Sequence, residues 1–115
     1  MVRTPQQIFA HHAEALMAGD IDGIVADYSD DAAFITPHGA LHGKDGVRQA
    51  FTALLAELPD AKWDVPTQIF DGDVLFIEWS AVAASTQVLD GVDTFIFEGD
   101  TIRVQTVRHT VESTD

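Results

Sequence analysis

The sequence predicts an α+β domain, with N-terminal helices gathered on one face of a curved, mainly antiparallel β-sheet. Three observations carry this prediction. Helical apolar spacing is confined to the residues before Pro59, strand patterns fill the chain after residue 60, and the turn dipeptides Asp71-Gly72 and Gly99-Asp100 fold those strands back on one another. No internal repeat or linker interrupts the 115 residues, so a single domain over 1–115 is expected.

Thr4-Pro5-Gln6-Gln7 has the form of a helix start, with Thr as cap, Pro at the first position and Gln at the third. The helix carries Ile8, Phe9, His12, Ala13 and Leu16 on one stripe, and Gly19 stops it. Asp20 caps a second, short helix with Ile21, Ile24, Val25 and Tyr28 at spacings of three and four. Ser29-Asp30-Asp31 reads as a turn, and a strand from Ala32 to Thr36 follows, ended by Pro37. Val47, Ala50, Phe51, Leu54, Leu55 and Leu58 hold helical spacing in a third helix that Pro59-Asp60 ends. Strands are expected near 62–70, 73–84, 86–98 and 101–111.

Composition narrows the function. Hydrophobic residues make up 46% and charged residues 22%, the balance of a globular chain. The absence of cysteine excludes disulfides, thiolate metal sites and thiol nucleophiles. Nineteen acidic against six basic residues give a formal charge of −13, which repels phosphate backbones and anionic lipid. Neither nucleic-acid nor membrane binding is expected. The first seven residues lack the apolar core of a secretory signal, so a cytoplasmic location is expected. There is no Gly-rich phosphate loop, nucleophile elbow or dinucleotide fingerprint, and no cofactor is expected.

The sheet carries apolar residues on both faces, since Leu75, Ile77 and Trp79 alternate with Val74, Phe76 and Val82. The helices can cover one face only. Leu75, Ile77, Trp79, Ile102 and Val104 are assigned to the outer face, where a second copy of the chain would cover them as a homodimer.

Ala18 to Gly39 (AGDIDGIVADYSDDAAFITPHG) and Gly91 to Val107 (GVDTFIFEGDTIRVQTV) resemble the bacterial ketosteroid isomerases and the wider SnoaL-like polyketide-cyclase group, within the cone-shaped class named after nuclear transport factor 2. The resemblance implies a deep cavity between helices and sheet. In the isomerases a tyrosine and a neutral aspartic acid donate to the substrate oxyanion, and a second aspartate moves the proton. Such a carboxylic acid, kept neutral by an apolar site, is a known pattern for this very enzyme. By position the tyrosine's place is held by His12, the base's by Thr36 and the oxyanion acid's by Asp93. Threonine cannot accept a proton near neutral pH, so steroid double-bond isomerisation by the family's route is not expected. The paired Asp-Arg-Asp arrangement of the limonene-epoxide hydrolases is also missing.

The residues themselves add detail. His12 stands on an apolar stripe where leucine would be ordinary; it is either a cavity group or a buried histidine bonded to a neighbour. Its reference pKa of about 6.5 suits proton transfer near neutrality. Strand alternation places Asp93 with Phe95 and Phe97 on one face, in apolar surroundings that would raise its pKa. If Asp93 and His12 share the cavity, they are expected to titrate as a coupled pair. His109 is in phase with Gln105 and Val107, as a pocket wall or an exposed strand end. A metal site from His12, Asp93 and His109 lacks any ligand spacing, and none is expected. Phe34, Thr36 and His38 share one side of the first strand at the cavity mouth, with Phe51 and Leu55 facing the same space from the third helix. Glu78 is either a cavity carboxylate, and then the best substitute for the absent base, or a charge at the dimer surface.

These readings describe a cofactor-free acid–base enzyme of isomerase, cyclase or dehydratase type, acting on a small apolar carbonyl compound such as a polyketide or steroid-like molecule. The alternative is a small-ligand-binding or association module that keeps the cavity without the chemistry.

Overall fold

A computed structural model describes residues 2–115. Its elements run α1 (Pro5–Ala18), α2 (Ile21–Ala26), β1 (Tyr28–Thr36), β2 (Gly39–His42), α3 (Gly43–Glu57), β3 (Lys62–Asp71), β4 (Val74–Val82), β5 (Thr86–Glu98), β6 (Thr101–Arg108) and β7 (Glu112–Ser113). The sheet order is β2-β1-β6-β5-β4-β3, with β7 added against β5. Every pairing is antiparallel except β1 with β6.

The local signals act as expected at the helix ends. Thr4 accepts from the Gln7 backbone at 3.2 Å while the Gln7 side chain accepts from the Thr4 backbone at 2.8 Å, a reciprocal cap. Gly19 closes α1 at φ 68°, a left-handed angle that a side chain would resist, and Asp20 caps α2 through Gly23. Pro66 is tolerated because β3 is the edge strand, and the ladder shifts register between Asp64 and Thr67 around it.

Four expectations are corrected. Ser29-Asp30-Asp31 is not a turn but a bulge inside β1, which takes five steps between Tyr28 and Ala33 while β6 takes two. Pro37 does end β1, yet Thr36 pairs with Gly39, so Pro37-His38 is a two-residue hairpin loop into β2, a strand too short to show alternation. The last strand stops at Arg108, and its continuation returns as β7. The faces of β4 are reversed: Leu75, Ile77 and Trp79 are 0%, 5% and 7% exposed, whereas Val74 and Phe76 are 40% and 36% exposed. Ile102 is likewise fully buried. Both faces of β4 are apolar, so period-two alternation separates the faces without telling inside from outside.

The concave face holds the core. Ile8, Ile24, Val47 and Phe51 from the helices meet Leu75, Phe95 and Ile102 from the sheet. The convex face leaves a cross-strand apolar cluster in the open, where Ile69 pairs with Phe76 and Val74 with Ile96.

Candidate functional site

The core is incomplete at one end of the concave face, leaving a cavity of about 520 Å³. His12 reaches it from α1, Phe34 and Thr36 from β1, and Phe51 and Leu54 from α3. Trp79, Asp93, Phe95 and Gln105 supply the sheet wall, with Val107 and His109 continuing it toward the mouth.

Asp93 is the polar centre of this wall. Odd-numbered residues of β5 from Gly91 to Phe97 face inward, which carries the carboxyl between Gly91 and Phe95 and leaves it 6% exposed. One oxygen accepts from Trp79 Nε1 at 2.9 Å and the other from Gln105 Nε2 at 2.9 Å. With its amide N committed to Asp93, Gln105 turns its oxygen to Tyr28, whose hydroxyl donates to it. Burial pushes the Asp93 carboxyl up to about 6, against the lowering pull of its two donors. Among the described residues neither Lys nor Arg lines the cavity, so no protein cation offsets an ionised Asp93.

His12 is 3% exposed and sits in an aromatic nest, its ring centroid 5.4 Å from Phe95, 5.5 Å from Phe51 and 6.0 Å from Tyr28. Burial pushes it down to about 4, with the Asp27 carboxylate acting weakly in the other direction. At neutral pH the ring is therefore uncharged. Its Nδ1 is buried without a partner among the described residues. An unpartnered lone pair is tolerated better than an unpartnered N–H, which assigns the ring proton to Nε2. His109 is half-buried; its Nδ1 has no partner among the described residues, and burial lowers its pKa below the ordinary value. Its ring lies 5.4 Å from that of Trp79, on the indole whose N–H holds Asp93.

The expected residues thus divide. His12, Asp93, Phe34, Thr36, His38, Phe51, Phe95, Gln105 and His109 all line the cavity. Leu55 does not; it turns from the cavity to a small cleft beside Leu58 and Trp63, and Leu54 takes its place. Glu78 is exposed on the convex face, where it accepts from Thr67 Oγ1 at 2.8 Å, so it cannot replace a base inside. That correction follows from the reversed faces of β4. His12 and Asp93 share the space but form no hydrogen bond, and burial dominates each shift separately. The expected coupled pair is not what displaces them.

Three groups escape the sequence reading. Trp79 faces inward, against the outward placement expected of it, and Gly91, a glycine inside a strand, is a usable signal of its close approach. Tyr28, spaced as a helix residue, is the first residue of β1. The third is a surface cluster in which buried Asp27 receives Arg3 Nη1 at 2.9 Å and His11 Nδ1 at 2.7 Å, while Arg3 Nε also meets Asp100 at 2.9 Å. Arg3 and Asp100 are 97 positions apart, and no local pattern announces such a contact.

Among the described residues no group of three or more His, Asp or Glu could hold a metal ion, and no helix is long and apolar enough to cross a membrane.

An α+β cone with one end of its concave face hollowed into a cavity defines the nuclear-transport-factor-2-like class. Within it the chain belongs to the SnoaL-like domain family, which matches residues 9–105. Similar solved structures include a SnoaL-like protein of unknown function from Burkholderia thailandensis, at 20% identity and TM-score 0.75, covering 91% of this chain and 93% of that one. A protein of ketosteroid isomerase-like fold from Catenulispora acidiphila, in complex with trimethylamine, matches at 14% identity and TM-score 0.74, covering 92% and 86%. AclR, a candidate hydroxylase from Streptomyces galilaeus, matches at 11% and 0.77, covering 91% and 87%. At these identities the likeness is one of fold. No curated protein matches the chain.

Proposed function

We propose that this chain is a cofactor-free acid–base enzyme for small, uncharged, largely apolar carbonyl compounds, with Asp93 as the acid. The observation that carries the reading is a buried carboxyl on a cavity wall, held at both oxygens and pushed up to about 6. A group poised there gives and takes protons near neutral pH. Asp93 protonates the carbonyl oxygen, and His12 donates a second hydrogen bond to it from Nε2–H as a neutral imidazole. With Thr36 in the family's base position and Glu78 outside, removal of the α-hydrogen falls to Nε2 of neutral His109, in the tautomer that carries its proton on Nδ1, across the Trp79 ring. The enol then collapses in one of three ways. It takes the His109 proton at another carbon, adds to a second carbonyl whose oxygen takes that proton, or expels a β-hydroxyl that leaves as water with it. In each case the enol O–H proton returns to Asp93.

Turnover on a panel of β-hydroxyketones and conjugated enones tests this. The acid role predicts a rate that falls as pH rises through about 6; a rate that climbs through that pH contradicts it. The second reading is a binding module, supported by Thr36 and by the trimethylamine held in the Catenulispora relative. It predicts saturable binding with no turnover by any member of the panel.

The proposal includes a homodimer through the convex face. Ile69, Val74, Phe76 and Ile96 replace Leu75, Ile77, Trp79 and Ile102 there, Val104 keeps its assigned face opposite Ile96, and together they form a continuous cluster. Sedimentation at micromolar concentration is expected to give a dimer, and Phe76→Lys a monomer. A monomer in the unaltered protein rejects the arrangement.

A further inference from the structure

Trp79 and Gly91 are direct cross-strand partners on β4 and β5, and Asp93 lies two residues farther on the same face of β5. The Trp79 indole leans across this gap to reach Asp93. It rests on Gly91 so closely that a Cβ there would overlap its Cε2 and Cδ2 and lie 2.6 Å from Nε1. Gly91 does not have a positive φ, so its backbone would accept alanine; the indole alone forbids a side chain. The other edges of the ring are set by Trp63 and His109, at centroid distances of 5.5 Å and 5.4 Å.

We propose that Gly91 is a positioning residue of the cavity: its bare backbone seats the Trp79 indole so that Nε1 meets Asp93 and the ring forms the wall on which a ligand packs. The inference builds on the reading of Asp93 as the working acid, but its geometric part needs no substrate. A methyl at Gly91 lifts the ring by pushing at fixed atoms near its centre, not at the end of a flexible chain. The ring must then tilt, and Asp93 loses one of its two donors. Loss of a donor to the carboxylate favours the acid form.

Gly91→Ala and Trp79→Phe are the test, each followed by the Trp79 indole N–H resonance where present and by the carboxyl ¹³C titration of Asp93. Gly91→Ala is expected to move the indole resonance and raise the Asp93 midpoint by roughly one pH unit. Trp79→Phe is expected to raise it similarly. Adding Gly91→Ala to Trp79→Ala, which leaves no ring to displace, should add nothing to the midpoint. A Gly91→Ala protein that is less stable but has an unmoved indole signal and Asp93 titration overturns the proposal. So does an equal effect of Gly91→Ala with and without the ring. If Gly91→Ala fails to fold, Gly91→Ala in the Trp79→Ala background decides: an alanine tolerated only there upholds the seat, and one tolerated in neither rejects it. Absence of turnover on any carbonyl compound would defeat the enzymatic reading while leaving these titrations standing.

Discussion

Asp27 is 1% exposed and Asp93 6%, yet the first is gripped by the guanidinium of Arg3 and the imidazole of His11, whereas among the described residues the second meets only the neutral N–H groups of Trp79 and Gln105. Both carboxylates have lost water, and burial of an ionised group is costly unless it is compensated. At Asp27 compensation comes from a cation at the protein's edge. Its backbone oxygen also accepts from Ile102 at 2.8 Å, so the cluster ties the start of α1 and the end of α2 to β6. At Asp93 the donors are neutral, which leaves protonation as an open degree of freedom on the cavity wall. In a chain of charge −13 the placement of a few cations separates a structural carboxylate from a chemically poised one.

Asparagine at each position is the strongest way to break that contrast. Asp93→Asn keeps the shape and removes the proton, and turnover is expected to fall by roughly a hundredfold or more. Asp27→Asn is expected to leave turnover within a few-fold. Equal losses in steady-state assays would erase the distinction.

A pH series of denaturant melts sharpens it. Folded Asp93 keeps its proton up to about 6, while the unfolded chain releases it near 3.8, so its contribution to stability is lost as pH rises through that window. His12 acts oppositely, since the unfolded chain binds a proton near 6.5 and the folded ring only near 4. Each contribution is on the order of 3 kcal/mol, and in the unaltered protein they largely cancel. Relative to that protein, Asp93→Asn should gain stability from pH 4 to 6.5 and His12→Gln should lose it. Parallel curves for all three proteins would show that neither group is displaced.

The effect of Asp27→Asn on stability is expected to be smaller, about 2 kcal/mol, because Arg3 and His11 are partly exposed and can return to water. Added salt should narrow the gap between variant and parent. A cost that is absent at low salt would mean that the cluster contributes nothing.

How much of this the chain discloses in advance depends on the range of the signal. Caps at Thr4, Asp20 and Gly19 are local, and they are read correctly from neighbours within four residues. The inward position of Asp93 follows from β5, where Asp93, Phe95 and Phe97 face one side and the other side is more polar. β4 offers no such contrast, because Val74 and Phe76 are as apolar as Leu75 and Ile77, and the faces are exchanged together with Trp79 and Glu78. What decides them is the cover of the helices, a tertiary fact. The pairing of Asp27 with Arg3 and His11 is equally non-local, since it needs the N-terminus to return beside β6.

The proton of Asp93 is expected to stay available near neutral pH because, among the described residues, only neutral groups hold the buried carboxyl. Site-resolved ¹³C NMR of the aspartate side chains, followed from pH 3 to 8, tests it without any assumption about substrate. A midpoint for Asp93 at about 6 is expected, and it should persist in Asp27→Asn. A midpoint near the ordinary 3.8 in the folded protein would contradict it, and with it the role assigned to Asp93.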